Sequence, residues 1–280
     1  MRIVSWNINS IRSRLDRALA WCEHREPDVI AFQETKVDQG RFPSEAFAEL
    51  GYESCESGAP GGYNGVAIIS RVGLEHPAIS FPGTQPAPFN EPRLIAATCG
   101  GIRIHNVYGP HGRDLNDAHY QFKLAFFERL RLHLIEEDSA STDTVVIGDF
   151  NVAPTEMDVY NPGRRKGRTH TSRPEREAIQ RLLDLGFTDI QRALRPDETS
   201  MFTYWSYKSK LASNHGLRID LALGSDGVTA RAETCWSDIE ERMGEGASDH
   251  SPVVLDLVAP RNDCSTALAA ALARPECARS

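Results

Sequence analysis

Short apolar runs recur along the whole chain and predict a protein built from many β-strands. The runs are four to seven residues long, rich in Val and Ile, and mostly bounded by Gly, Pro, Asn or Asp. Runs of that length and composition favour strands over helices. They cover residues 3–6, 29–32, 66–69, 94–98, 102–108, 144–148, 218–223 and 253–257.

Three segments between these runs have the apolar spacing of helices. The apolar positions are Leu15, Ala18, Leu19 and Cys22; Phe122, Phe126, Leu130 and Leu134 within 119–135; and Ile179, Leu182 and Leu183 within 174–185. Asn9 or Ser10 is the candidate N-cap of the first helix. Pro174 is expected at the first helical position of the third, where its missing N–H costs nothing.

Strands alternating with a few helices predict sheets covered by helices in one domain, residues 1–258. The proline-rich stretch 77–92 is expected to be a structured loop rather than a domain boundary. Residues 259–280 form an Ala-rich tail, for which a frayed segment is favoured over a short helix at 266–273.

Composition is that of an ordinary soluble protein with a buried core. The chain has 280 residues, of which 40% are hydrophobic and 25% charged. No apolar run approaches the ~18 residues that span a bilayer, and no secretion signal is visible. The six cysteines are scattered, which argues against a zinc site and against a disulfide framework and predicts a cytoplasmic protein.

The net charge of −8 argues by itself against a nucleic-acid-binding protein, because phosphate contacts come from Lys and Arg. The basic residues are, however, concentrated in NPGRRKGR at 161–168 and YWSYKSK at 204–210. A local basic rim around an acidic site would reconcile the two observations.

Polar side chains recur at the ends of the predicted strands. They are Asn7, Glu34, Asp149, Asn151, Asp220, Asp249 and His250. Catalytic groups and ligands gather at strand ends because the sheet holds them rigidly while the loops admit substrate. These positions are therefore candidates for one site.

Each residue also has a structural explanation of its own. Asp149 could cap a turn and Glu34 could be a solvated loop charge. Asp220, inside an apolar strand, needs a partner because an isolated buried carboxylate is costly. Arg218, two residues away on the same face, is the local candidate partner of Asp220. His250 is the functional candidate, although a lone histidine is more often a structural residue with its hydrogen bonds satisfied.

The polar residues at the strand ends are together suited to binding a metal ion and activating water. Carboxylates and amides without cysteine are hard oxygen ligands that suit Mg²⁺, with Mn²⁺ as a substitute, and not zinc. Glu34 and Asp249 would suffice to hold such an ion beside a substrate phosphate. Asp149 would then be free to orient or deprotonate water. An aspartate beside His250 would fix its tautomer and raise its pKa.

These residues lie in motifs that resemble those of the exonuclease III family of DNA-repair nucleases and apurinic/apyrimidinic (AP) endonucleases. The motifs, in the family's order, are SWNINSIR (5–12), PDVIAFQETK (27–36), GYNGVAI (62–68), NVYGPHG (106–112), GDFNVAPTEMD (148–158), GLRIDLAL (216–223) and SDHSPV (248–253). The resemblance covers residues 1–258, and GLRID with the aromatic run before it is more specific to this branch of the endonuclease/exonuclease/phosphatase superfamily.

The resemblance implies an α+β fold, a four-layer α/β/β/α sandwich of two packed, mainly antiparallel sheets flanked by helices. The metal-site residues that it implies are Glu34, Asn7, Asp249, Asp149 and Asn151. It also implies that Asp149 positions the attacking water, that Asn151 and Tyr108 contact the scissile phosphate, and that His250 paired with Asp220 stabilises charge on the phosphate oxygens.

The aromatic run FTYWSYK (202–208) is a candidate substrate pocket. Tyr204 and Trp205, with Leu217, would line a small apolar site for a flipped-out deoxyribose without its base. Core packing explains one face of this strand equally well. The candidate contacts to the DNA backbone are Arg164, Arg165, Lys166, Arg168, Lys208 and Lys210, although a solvated charge run is the usual explanation.

The resulting hypothesis is a Mg²⁺-dependent DNA-repair nuclease. It would act as a 3′→5′ exodeoxyribonuclease and AP endonuclease that leaves 3′-hydroxyl ends, as a monomer on double-stranded DNA with AP sites or 3′ ends. The alternatives are a phosphatase of the same superfamily acting on a small phosphate ester, and a non-catalytic nucleic-acid-binding module.

Overall fold

The computed structural model describes residues 1–83, 86, 88–208 and 211–259. The strands, numbered in chain order, are β1 (Arg2–Asn7), β2 (Val29–Gln33), β3 (Glu53–Ser57), β4 (Val66–Ser70), β5 (Glu75–Ile79), β6 (Leu94–Cys99), β7 (Ile102–Tyr108), β8 (Thr144–Asp149), β9 (Thr188–Asp189), β10 (Asp220–Gly224), β11 (Ala232–Ser237) and β12 (Val253–Leu257). The α-helices are α1 (Leu15–Arg25), α2 (Ser44–Ala48), α3 (Ala118–Glu136), α4 (Pro162–Arg165), α5 (Arg173–Leu183), α6 (Ile190–Leu194), α7 (Asp226–Thr229) and α8 (Ile239–Arg242).

The strands form two six-stranded sheets of matching design. Their orders are β11-β12-β1-β2-β4-β3 and β5-β6-β7-β8-β10-β9. Each sheet contains one parallel pair, β1 with β2 and β7 with β8, and its other neighbours are antiparallel. The two mainly antiparallel sheets are therefore confirmed.

Three hydrophobic clusters give the fold its layers. One lies between the sheets, where side chains such as Ile3 and Ile147 meet. A second joins the outer face of the β5–β10 sheet to α3 and α5, and a third joins the outer face of the other sheet to α1 and α2. Burial on both faces makes the central strands almost wholly apolar. The predicted four-layer sandwich is confirmed.

The eight predicted apolar runs all contain strands, but the sheet edges and some helix starts differ from prediction. Residues 77–79 belong to β5 rather than to a loop; Pro77 is tolerated because β5 is an edge strand with an irregular register. Arg14, not Asn9 or Ser10, precedes α1. Helix α5 begins at Arg173, with Ser172 as its N-cap, so Pro174 is its second residue.

Some sequence predictions concern residues that the structure does not describe. The predicted tail at 259–280, apart from its first residue, lies outside the described residues, as do Cys264, Cys277 and Lys210. Cys22, Cys55, Cys99 and Cys235 are free thiols. Within the described part of the chain, no helix is long and apolar enough to cross a membrane.

Gly148 occupies the closest contact between β7 and β8. A Cβ atom built there would lie 1.9 Å from the carbonyl oxygen of Val107, and φ is +153°. We expect Gly148→Ala to destabilise the protein by more than about 1 kcal/mol, because the backbone of one strand must move. The measurement is urea unfolding. Gly163→Ala in α4, where the added Cβ meets its nearest atom at 3.6 Å, is the matched control and should change stability little.

Candidate active site

The ends of both parallel strand pairs meet at one place. Asn7 ends β1 and Glu34 follows β2 in one sheet, while Tyr108 and Asp149 end β7 and β8 in the other. Tyr108 and Asp149 are register partners. Strands that run in parallel present their carboxyl ends at the same edge, so the packing of the two sheets brings four polar side chains together.

Asn7 links the two sheets. Its side-chain N–H groups donate to Glu34 Oε1 and to Asp149 Oδ2, both at 2.9 Å. Its Oδ1 accepts the backbone N–H of Asn9 at 3.1 Å. The amide is fully buried. A single amide therefore fixes two carboxylates from different sheets beside each other.

Glu34 is shared by three donors. Its Oε1 also accepts the Tyr108 hydroxyl at 2.9 Å, and its Oε2 lies 2.8 Å from Lys36 Nζ. Burial acts to raise the pKa of Glu34, but the Lys36 ammonium and the Asn7 amide outweigh it and lower the pKa. Burial and the Glu34 charge hold the pKa of Tyr108 well above its usual value. Glu34 is thus an anion and Tyr108 a neutral phenol at neutral pH.

Asp149 is held by the loop that follows it. The Asn151 backbone N–H donates to Asp149 Oδ1 at 2.8 Å, and the Asn151 side chain donates to Oδ2 at 3.2 Å and to the Gly109 carbonyl at 3.0 Å. Asn151 has φ of +53°, a conformation that Asn adopts more readily than most residues. Asp149 and Asn151 therefore act as one rigid unit.

His250 and Asp220 form a buried pair beside this unit. His250 Nδ1 lies 2.8 Å from Asp220 Oδ2, and the Thr203 hydroxyl donates to the same oxygen at 2.6 Å. His250 Nε2 lies 3.8 Å from Asp149 Oδ2. Arg218, the other candidate partner of Asp220, instead pairs with Asp158 and Asp189.

The charges in this pair are set by burial and by each other. Burial acts to lower the pKa of His250, but Asp220 and Asp149 outweigh it and raise the pKa to about 10. Burial raises the pKa of Asp149 to about 7, against the lowering effect of the His250 cation. The site therefore places an imidazolium next to a carboxylate that is able to take up a proton near neutral pH.

Asp249 lies at the rim of the site. Its Oδ1 accepts Asn9 Nδ2 at 3.0 Å, and Asn9 Oδ1 accepts Lys36 Nζ. Lys36 in turn pairs with Glu34. Asn9 and Lys36 thus lie between Asp249 and Glu34 and connect them.

A buried ion pair supports the Asn151 turn from behind. Lys123 Nζ on α3 donates to the Asn151 carbonyl at 2.7 Å and to Glu175 Oε1 at 2.6 Å, and both side chains are fully buried. The same Oε1 accepts the backbone N–H of His170 at 2.9 Å. Helices α3 and α5 therefore hold the loop that carries Asn151.

The donor set fits Mg²⁺. Glu34, which is partly exposed, and the buried Asp149 accept hydrogen bonds from the same side-chain nitrogen of Asn7, so two carboxylates with oxygen donors lie side by side. Asp149, Asp220 and His250 also have ligand atoms close together, but His250 is occupied by Asp220 and positively charged. Hard oxygen donors without sulfur suit a hard divalent cation.

The predicted substrate residues divide into buried and accessible ones. Trp205 is buried and donates its indole N–H to Asn214 at 3.0 Å, and Leu217 is buried as well. Tyr204 is half-buried, with its ring 4.9 Å from that of His250. Leu217, Arg164 and Arg165 border a common cavity of about 170 Å³.

The basic residues predicted to contact DNA are at the surface. Arg165 is half-exposed, and the exposed residues are Arg164, Lys166, Arg168 and Lys208. Arg165 is close enough to Tyr204 to act on its pKa, which burial and Asp249 raise overall. A basic segment therefore borders the acidic site.

Sequence reasoning missed three residues of the site. Thr203 fixes Asp220, Lys36 pairs with Glu34, and Lys123 holds the Asn151 turn. Residues 202–208 were expected to form a strand with one buried face, but they form only isolated bridges at Tyr204, and Phe202, Thr203 and Trp205 are all buried, so alternation did not single out Thr203. Nothing local distinguished Lys123 from the solvated lysines of a helix.

Known proteins are similar to this chain over most of its length. Residues 4–250 match the model of the Endonuclease/Exonuclease/phosphatase family. Exodeoxyribonuclease III of Haemophilus influenzae is 32% identical over 265 residues, which cover 90% of this chain and 98% of that protein. An exodeoxyribonuclease of Bacillus subtilis is 29% identical and covers 91% of this chain and 98% of its own length.

Solved structures show the same fold. An AP endonuclease from Archaeoglobus fulgidus superposes with a TM-score of 0.88 at 35% identity, covering 92% of this chain and 100% of that one. The 3′ phosphatase NExo from Neisseria, bound to a product DNA hairpin, gives a TM-score of 0.88 at 34% identity, with the same coverages.

Proposed function

The chain belongs to the endonuclease/exonuclease/phosphatase family, and from this premise we propose that it is a DNA-repair nuclease. It hydrolyses phosphodiester bonds to leave 3′-hydroxyl ends, as a 3′→5′ exodeoxyribonuclease and an AP endonuclease. The observation that carries the proposal is the contact of Asp149 with Asn7, Asn151 and His250 at the junction of the two sheets. The names of its relatives support DNA as the substrate.

In the proposed reaction Asp149 orients a water molecule and accepts its proton as the water oxygen attacks phosphorus. A general base must lie within hydrogen-bond reach of its proton, and Asn7 and Asn151 restrict Asp149 to one orientation. Proton uptake by Asp149 is favoured by the burial that raises its pKa.

His250 stabilises the charge that develops on the phosphate oxygens. Asp220 holds its Nδ1, which leaves Nε2 directed toward Asp149. A fixed cation in a buried site stabilises a developing oxyanion without reorganising. Tyr108 and Asn151, which are neutral donors, position the scissile phosphate in this proposal.

The proposed ion is Mg²⁺, with Mn²⁺ as a substitute. Glu34 and Asn7 would hold it, with Asp149, Asn151 and Asp249 around it. Bound there, it supplies charge neutralisation at the phosphate. The net charge of −8 is compatible with DNA binding because the basic run of α4 borders the site.

Further parts of the proposal concern substrate and setting. Tyr204, Trp205 and Leu217 surround the position of an AP-site sugar, and Arg164, Arg165 and Lys208 contact the DNA backbone. Because Trp205 and Leu217 are buried, Tyr204 would make the direct contact. We expect the catalytic unit to be residues 1–258, acting on double-stranded DNA as a monomer in the cytoplasm.

Metal removal tests the proposal. We expect the full chain with Mg²⁺ to shorten the 3′ end of labelled duplex DNA and to cut a duplex at an AP site, and we expect EDTA to abolish both activities. The charge on the transferring phosphate is otherwise incompletely neutralised. Product lengths on denaturing gels give the result.

Two further substrates separate the alternatives. A duplex ending in a 3′-phosphate tests phosphatase activity, which the likeness to NExo makes a specific second candidate. A soluble inositol phosphate tests a small-ester phosphatase. Tight binding of AP-site DNA without any cleavage in Mg²⁺ would instead identify a non-catalytic binding module.

A further inference from the structure

A cluster of two histidines and a glutamate lies on the outer face of the β5–β10 sheet. His105 is on β7, His133 is on α3, and Glu137 directly follows α3. Tyr108 packs between the sheets, whereas Val107 belongs to the outer cluster. Since side chains alternate along a strand, His105 points away from the catalytic site. The cluster is thus separate from the residues assigned to catalysis.

Three of the four ring nitrogens in these buried imidazoles have no hydrogen-bond partner among the described residues. His105 is completely buried, and neither of its ring nitrogens has a hydrogen-bond partner among the described residues. His133 is 2% exposed, and within the same set of residues its Nδ1 is also unpartnered. An imidazole always carries at least one N–H, so a buried ring without partners is a costly arrangement. A ligand for these nitrogens would remove that cost.

The donor atoms have the spacing of a metal site. His105 Nε2 lies 3.3 Å from Glu137 Oε2, and His133 Nε2 lies 3.5 Å from Glu137 Oε1. All three residues offer ligand atoms within 4.8 Å of one another. Two ligands bound to zinc at about 2.0–2.2 Å in tetrahedral geometry lie roughly 3.3–3.5 Å apart. The two separations between histidine and Glu137, one to each carboxylate oxygen, fall in this range.

We propose that His105, His133 and Glu137 form a binding site for a divalent transition-metal ion such as Zn²⁺. Imidazole and carboxylate ligands are typical of zinc sites, and three protein ligands leave a fourth position for water. The Glu137 side chain is 28% exposed, which gives that position access to solvent. The scattered cysteines argued against zinc, but this site uses none.

Neighbouring groups prepare the ligands. Burial lowers the pKa of both histidines, so the rings are neutral and able to bind metal. Arg103 lies 3.4 Å from Glu137 Oε1 and donates to the His76 carbonyl at 2.7 Å. A fixed guanidinium beside a ligating carboxylate orients it, as outer-shell partners do at metal sites. The bound ion would fasten the end of α3 to β7.

The test measures zinc on the full chain in the Glu34→Gln background, which weakens binding at the catalytic carboxylates. The protein is stripped with chelator and dialysed against buffered Zn²⁺, and bound metal is counted by mass spectrometry. Adding Glu137→Gln or His133→Gln should remove one equivalent of zinc per chain. Both should also remove the zinc-induced rise in Tm, since a metal that binds only the folded state stabilises it.

The exposed His24 on α1 provides a matched control, and His24→Gln in the same background should retain the full zinc content. Glutamine has the shape of glutamate, so Glu137→Gln is expected to fold normally, which circular dichroism checks. Co²⁺ gives a second readout, because its tetrahedral absorption bands should be present in the background protein and absent after Glu137→Gln. Equal zinc content with and without Glu137→Gln and His133→Gln would overturn the proposal, whatever the nuclease activity.

Discussion

Replacing Asp149 with asparagine is expected to lower the turnover number on AP-site DNA by about 10²–10⁴-fold, the usual contribution of a general acid–base residue. Asparagine preserves the shape of the side chain, and its one oxygen can still accept from the Asn7 and Asn151 side chains, but its NH2 group replaces the other acceptor and it cannot take up a proton. We therefore expect substrate binding to survive while the chemical step slows. Single-turnover cleavage and equilibrium DNA binding separate these two effects.

The control for this variant is Asp143→Asn. Asp143 directly precedes β8, and its side chain is 44% exposed in an ion pair with Arg231. The substitution removes the same charge from the protein at the opposite end of the same strand, so turnover should match the wild type. Near-normal turnover in Asp149→Asn would show that another group takes the proton.

Replacing Arg218 with methionine is expected to destabilise the fold by about 3 kcal/mol, because it breaks the buried ion pairs with Asp158 and Asp189, although Asp158 keeps Arg192 at 2.6 Å. Arg218 Nε donates to Asp158 at 2.7 Å and its other nitrogens donate to both oxygens of Asp189. The side chains of Arg218 and Asp158 are 1% and 0% exposed. Urea unfolding monitored by circular dichroism measures the change.

The same variant should alter the response to acid. Burial acts to raise the pKa of Asp158, but Arg218 outweighs it and holds the pKa below 3.8. A depressed carboxyl pKa stabilises the fold above the unfolded-state pKa, and that stability is lost as the pH falls. Arg218→Met should therefore lose less stability than the wild type between pH 5 and the acid limit, roughly pH 2.

Arg173→Met provides the control for Arg218. Arg173 pairs with Glu177 on α5, with side chains 90% and 49% exposed. An exposed helical pair of this kind contributes little to stability because solvent screens it, so Arg173→Met should unfold at nearly the same urea concentration as the wild type. Equal free energies of unfolding for Arg218→Met and Arg173→Met would show that the Asp158–Arg218–Asp189 cluster contributes no more to stability than an exposed ion pair.

The interior strands were predictable from sequence because their burial on both faces leaves an unbroken apolar signal. The edges were not. β3 reads ESCES and is mostly half-buried, and β5 contains Pro77 and no continuous apolar run. An edge strand has one neighbour and a partly solvated face, so its composition resembles that of a loop. Pairing with β4 or β6, which sequence alone does not reveal, determines its structure.

The candidate site was predictable where residue type and strand ends coincided, as for Glu34 and Asp149. The pairing of buried charges was not predictable where residues from distant segments could pair with the same side chain. Arg218 is two residues from Asp220, yet it pairs with Asp158 and Asp189, and Asp220 pairs with His250 from 30 residues further on. Only tertiary packing decides between a neighbouring charge and a remote one.

Because β1 pairs with β12, the first sheet can be completed only near the end of protein synthesis. Arg2 pairs with Asp256 across the sheet, and the Ser248 hydroxyl donates to the Asn7 carbonyl at 2.6 Å. β1 can therefore pair with β12, its second neighbouring strand, only after residues about 250 positions later have been synthesised. A nascent chain that ends before residue 250 lacks both β12 and the His250 that pairs with Asp220, so a ribosome that terminates there releases a chain without the complete candidate site.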